Sequence, residues 1–175
     1  MIPAGESPAP TRLFLALVLS AALFAAVPAW GQQAGDGWRA AVAGRMIAHI
    51  NRHRMRDGLA PLRAEPLLDR AAQRHASDMA DNDFFGHDGS DGSGIGARAS
   101  HAGYGWRRIA ENVSAGAESP EEVVDGWMAS EGHRRNLLRP GFRDAGVGYA
   151  FVDPDPGRAR YRHYWSLVLG APAER

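Results

Sequence analysis

Ser119-Pro120-Glu121-Glu122 opens a helix whose start and buried face can both be read from residue types alone. Ser119 is a good helix N-cap, Pro120 sits at the first helical position, and Glu122 stands where a capping box wants a carboxylate. Val123, Val124, Trp127 and Met128 recur at helical spacing, which predicts a buried stripe ending in a core Trp. Gly132 breaks the pattern and Pro140 stops whatever follows. This places His133 at a sharp corner, between the buried helix and the apolar pair Leu137 and Leu138. A corner held on both sides can aim an imidazole; the alternative is a ring that merely caps the turn, the commoner role of a lone His.

The ends of the chain limit how that helix can be buried. Arg12 precedes the apolar run Leu13 to Val27, and Val27-Pro28-Ala29 offers a small-residue cleavage site. Residues 1–29 therefore read as a signal peptide, 30–37 as a polar linker and 38–172 as the folded domain. The run is short for a spanning helix, so no stable membrane span is expected after cleavage; an uncleaved anchor is the alternative. The expected location is secreted or periplasmic. The chain has 175 residues and no Cys, so an exported product must draw its stability from a core rather than from disulfides. It has no thiol nucleophile, and any metal must be held by His, Asp, Glu or backbone oxygen. All 20 basic residues are Arg and are balanced by 20 acidic ones, which leaves no electrostatic excess for nucleic acid.

Along the chain, Val42, Met46, Ile47 and Ile50 give a first helix that ends at Gly58. His49 and His53 lie four apart on it, a spacing that can bind metal, but without an HExxH pattern. His53 is read as surface and His49 as packed or capping. Pro66 begins a second helix with Leu67, Leu68, Ala71, Ala72, His75 and Met79 facing inward, and His75 is expected to bond a neighbouring backbone carbonyl. Phe84 and Phe85 root a Gly/Asp/Ser loop and pin it to the core while His87 points away. Asp88 and Asp91 in that loop read as turn chemistry rather than a calcium site. A short helix is expected over 95–101. Glu111-Asn112 inside the apolar run 104–115 is unusual: a buried carboxylate needs a partner, either an imidazole or metal, or else loop N–H groups. Phe142–Val152 and Tyr161–Leu169 read as strands of an antiparallel hairpin around the turn Asp153-Pro-Asp-Pro-Gly157. Helices first and strands mostly last give an α+β fold.

These pieces resemble the CAP superfamily of cysteine-rich secretory proteins, antigen five and pathogenesis-related proteins, in its disulfide-free bacterial branch. The matching residues are Ile50-Asn51, Arg54, Gly58-Leu59, Ala72 to Met79, Phe85-Gly-His87, Glu111-Asn112-Val113, Trp127 to Leu138, and Gly146-Val-Gly148. The resemblance implies a three-layer α-β-α sandwich with a mostly antiparallel sheet and a cleft of two His and two Glu. His87 falls on the first His, Glu111 on the first Glu and His133 on the second His. The second Glu is replaced by Ser130, with Glu131 as a weak neighbouring substitute; His163 is the runner-up for the second His.

Two imidazoles, a carboxylate and water suit zinc or another divalent cation, with His87 and His133 as the metal ligands. The leading expectation is a binding module whose cleft residues His87, Glu111, Ser130, Glu131 and His133 take a metal and a small-molecule, lipid or envelope ligand. The alternatives are a metal-dependent hydrolase of peptide or envelope material, with Glu111 or Glu131 as the catalytic carboxylate, and a non-catalytic interaction protein whose tetrad is structural.

Overall fold

A computed structural model describes residues 29–154 and 157–174. Nearly all of the expected signal peptide, and the centre of the turn at 153–157, lie outside them. Five helices and four strands follow in the order α1 (Ala29–Arg56), β1 (Arg63–Ala64), α2 (Pro66–Asp81), α3 (Ile95–His101), β2 (Trp106–Ala115), α4 (Pro120–Ala129), α5 (Glu131–Leu137), β3 (Asp144–Phe151) and β4 (His163–Pro172). The backbone of 30–37, expected as a linker, belongs to α1.

The strands form one mixed sheet in the order β1-β3-β4-β2. β3 and β4 are antiparallel neighbours, as are β2 and β4, while the short β1 runs parallel to β3. The pleat sends alternate residues of β4 to opposite layers. Trp165, Leu167, Leu169 and Ala171 meet Val42, Met46, Ile47, Ile50, Val123, Val124 and Trp127 of α1 and α4. On the other face, Val168 meets Leu68, Ala72, Ala99 and Tyr104, and Tyr164 meets Met79 and Val113. This is the expected α-β-α sandwich, with α2 and α3 on one side and α1 and α4 on the other.

Local chemistry fixes the helix starts. Ser119 Oγ accepts from Glu122 N at 3.3 Å and Glu122 Oε2 accepts from Ser119 N at 3.3 Å, a complete capping box. Glu65 caps α2 by accepting from Leu67 N at 3.1 Å, ahead of Pro66. The chain breaks at Ser130 rather than Gly132: Ser130 is extended (φ −99, ψ 122), closing α4 and opening α5. Gly132 and His133 therefore lie inside a helix and not at a corner. A glycine near a helix start is tolerated there, because the first N–H groups lack intrahelical partners in any case.

Two contacts hold the layers in register. Gly146 and Gly148 of β3 face α2 so closely that a Cβ would stand 2.1 Å from the Leu68 carbonyl carbon and 2.2 Å from that of Ala72. Arg54, at the end of α1, is buried and donates to the carbonyls of Ala60 (2.9 Å), Leu137 (2.6 Å), Arg139 (3.3 Å) and Phe142 (3.3 Å). It ties α1 to the end of α5 and the turn before β3. Side chains also bond strand backbone: Asp69 Oδ1 accepts from Val147 N (2.8 Å) and Gln73 Oε1 from Tyr149 N (3.1 Å). Trp127 Nε1 donates to Val113 O (3.1 Å) and Asn136 Nδ2 to Glu111 O (3.4 Å). Among the described residues no helix is long and apolar enough to cross a membrane.

Candidate functional site

Glu111 is the centre of the site. β2 pairs it with Val168 of β4, and its side chain is buried. Oε1 accepts from Arg98 Nη2 at 2.8 Å and from Ser166 Oγ at 3.1 Å. Oε2 accepts from His87 Nδ1 at 3.0 Å and lies 3.8 Å from His75 Nε2. The expected imidazole partner is present, but the dominant one is the guanidinium of Arg98, itself buried at 3% exposure. Sequence reading missed Arg98 because nothing in the short segment 95–101 marks one of its residues as inward-facing. An unpaired buried Glu111 was the available signal that some cation had to be near.

The loop that carries His87 is fixed at its root from two sides. His75 Nε2 donates to Gly86 O at 2.9 Å, the backbone-carbonyl role expected for it. Arg98 Nη2 donates to His87 O at 3.0 Å, and Arg98 Nη1 to Ser93 O. Phe84 packs against the core cluster around Met79. Phe85 does not: it is 45% exposed and lies against Tyr161, with ring centroids 5.7 Å apart. One aromatic suffices because Arg98 and His75 do the anchoring. Asp91 supports a turn, accepting from Ser93 N at 2.9 Å.

His133 reaches the same region from α5. Asn112 Nδ2 donates to His133 O at 3.2 Å, and Asn136 Nδ2 donates to Asn112 Oδ1 at 2.9 Å, so α5 is bonded to the strand residue next to Glu111. The His133 ring is half-buried beside Trp127, with centroids 6.4 Å apart. Burial, and then the charge of His87, hold its pKa below the ordinary value, which favours the neutral, ligating form.

The other candidates stand apart. His133, Asn136 and Leu137 share one face of α5, so Glu131 and Arg135 fall on another. The Glu131 side chain is 95% exposed and 4.0 Å from Arg135, away from Glu111. Ser130 is half-buried at the break between α4 and α5 and makes no side-chain capping bond. His163 is bonded to Tyr149, with Nδ1 and Oη 2.9 Å apart, and lies against Phe151 rather than the cleft.

His75 gives the site a pH dependence. Burial lowers its pKa below 6.5, opposed by Glu111 and the Gly86 carbonyl. The unfolded ring then takes up a proton that the folded ring refuses, so stability rises with pH through this window. The contribution is intact above the unfolded value and is lost as pH falls below it. The urea midpoint should therefore drop between about pH 7 and about pH 5.5, and His75→Gln should flatten that slope. An unchanged slope in the variant would assign the effect elsewhere.

Among curated proteins, the chain is 35% identical over 105 residues to the uncharacterized protein YkwD of Bacillus subtilis, covering 60% of this chain and 41% of that one. It is 30% identical over 95 residues to the uncharacterized membrane protein YlbC of the same organism, covering 54% and 28%. The chain thus spans less than half the length of either relative. Its fold matches an extracellular protein containing an SCP domain from Bacillus anthracis at 26% identity and a TM-score of 0.66, covering 75% of this chain and 41% of that one. An outer surface protein of Borrelia burgdorferi reaches the same TM-score of 0.66 at 17% identity, over 74% of this chain and 92% of that one, a likeness of fold alone. The profile of the cysteine-rich secretory protein family (CAP) matches residues 47–169, and with the sandwich and the His87–Glu111 pairing in place this chain belongs to that family.

Proposed function

We propose that this is an extracytoplasmic binding protein whose cleft, formed by His87, Glu111 and His133, takes a divalent cation together with a polar small-molecule, lipid or cell-envelope ligand. The observation that carries the reading is the 3.0 Å bond from His87 Nδ1 to Glu111. A carboxylate accepting from Nδ1 fixes the tautomer of the neutral ring and makes Nε2 the nitrogen left to coordinate, the arrangement typical of metal-ligating His. The exposed His87 side chain can present that nitrogen to solvent, and the neutral ring of His133 supplies a second donor. Zinc fits two imidazoles completed by water and ligand, and when bound it would supply a positive centre for an anionic or carbonyl oxygen. In this reading Glu111 orients His87 and is not itself a ligand, since both its oxygens are engaged.

Binding is favoured over hydrolysis because neither candidate carboxylate, Glu111 or Glu131, is placed to act on water in the cleft. Glu111 is paired with the buried Arg98, and Glu131 lies on the face of α5 turned away from Glu111. A general base needs a lone pair within reach of water. The extracytoplasmic assignment is supported by the apolar N-terminal run and by the Bacillus anthracis neighbour, described as an extracellular protein.

Calorimetric titration with zinc chloride tests the reading. The wild-type chain should show a saturable event that His87→Ala/His133→Ala lacks, with both proteins folded by circular dichroism. Identical isotherms would remove the cation from the cleft. They would leave the Arg98–Glu111–His87 network as a purely structural clamp, the second reading that its buried guanidinium favours.

A further inference from the structure

Outside the cleft, α1 and α4 bring together another group of ligating side chains. His49 and His53 stand four residues apart on α1, so their rings leave one face of the helix, stacked with centroids 5.4 Å apart. Asp125 comes from α4, with Oδ1 2.9 Å from His49 Nε2. One ligand atom from each of the three lies within 4.8 Å of the others. We propose that His49, His53 and Asp125 form a surface site for a zinc-class divalent cation, separate from the His87/His133 cleft.

The donor set suits that class of ion: two imidazoles and one carboxylate, with the remaining positions open to water. Ligand atoms held at about 2.0–2.1 Å from a tetrahedral ion lie about 3.4 Å apart, so the site closes by small side-chain rotations. The two helices already pack together through Val42, Met46, Val123 and Val124, and the ion would bridge elements that need no rearrangement. Asp125 is exposed and both His rings are half-buried, so water and ion can reach all three.

Arg52 is the competitor. Its Nη2 is 2.8 Å from His49 Nδ1. A guanidinium only donates, so Nδ1 accepts and the ring proton sits on Nε2, directed at Asp125. An ion at Nε2 requires that proton to pass to water while Nδ1 takes one up, and Arg52 must then withdraw. Arg52 is exposed and can do so. The sequence displays the two His; it does not display the carboxylate, which arrives from another helix.

The test uses the full chain carrying His87→Ala/His133→Ala, so that the cleft contributes nothing, titrated with zinc chloride in a calorimeter and melted with and without zinc. Saturable binding should persist in this background and raise Tm, because the ion joins α1 to α4. His53→Ala and Asp125→Asn should each weaken binding by roughly tenfold or more, and Arg52→Ala should strengthen it several-fold. Zinc-free melts identify any variant that fails to fold, and the exposed Asp125 gives a substitution that leaves the core untouched. Absence of saturable binding in the background protein, or affinity unchanged by both His53→Ala and Asp125→Asn, overturns the site. Failure here leaves the cleft reading standing, and failure of the cleft leaves this site standing.

Discussion

Gly146→Ala should destabilise the protein by about 4 kcal/mol or more, above the usual range of about 1–3 kcal/mol for overpacking a core. The added methyl would stand 2.1 Å from the Leu68 carbonyl carbon and 2.3 Å from the Asp69 backbone nitrogen. Backbone atoms of a helix have no rotamer to move into, so α2 must lift away from β3 along its length. Lifting α2 also stretches the bonds from Val147 N to Asp69 and from Tyr149 N to Gln73. For a domain whose total stability is on the order of 5–15 kcal/mol, that loss leaves a substantial unfolded fraction. Urea unfolding monitored by Trp fluorescence measures it; a midpoint within error of wild type would mean that the two layers have more freedom than their spacing allows.

Glu111→Ala should cost about 3–5 kcal/mol, the penalty for stranding one partner of a buried ion pair. Arg98 would keep its carbonyl contacts to Ser93 and His87 but lose its counter-charge in a place water does not reach. Glu111→Gln separates charge from shape: an amide oxygen can still accept from Arg98, so its cost should be clearly smaller. The pair of variants also probes the cleft, because neither retains the carboxylate that fixes the His87 tautomer. If zinc affinity in the cleft falls in Glu111→Gln while the fold holds, orientation of His87 by the carboxylate is the reason. Equal stability losses in the two variants would show that the net charge of Glu111, rather than its hydrogen bonding, carries the contribution.

The parts of this molecule legible in the sequence are those whose physics is local. The capping box at Ser119 and Glu122 and the short helix at 95–101 each depend on residues only a few positions apart, and β3 and β4 show as two apolar runs either side of a Pro/Gly/Asp turn. β2 escaped because Arg107, Arg108, Glu111 and Asn112 interrupt its alternation, and the partners that make Glu111 and Asn112 acceptable inside come from α3, β4 and α5. The buried Arg54 is illegible for the same reason: its acceptors are main-chain carbonyls of residues 60 and 137–142, which carry no side-chain signature. His87 and Glu111 could be named as partners only through the family resemblance, since 24 positions separate them and no spacing rule links a loop His to a strand Glu. The break at Ser130 was misplaced because Gly132 is the stronger helix breaker by propensity, whereas backbone geometry at the preceding serine decided it.

The bonds from Trp127 and Asn136 to the carbonyls of Val113 and Glu111 lie along the outer rim of β2. On the far rim, where β1 stops after two residues, Asp69 and Gln73 take the amides of β3. Two carbonyls on one border and two amides near the other are thus taken by side chains of the protein itself. A peptide adding a strand at either of these places would first have to displace Trp127 and Asn136, or Asp69 and Gln73, so β-augmentation there carries a cost that loops and helix faces do not impose.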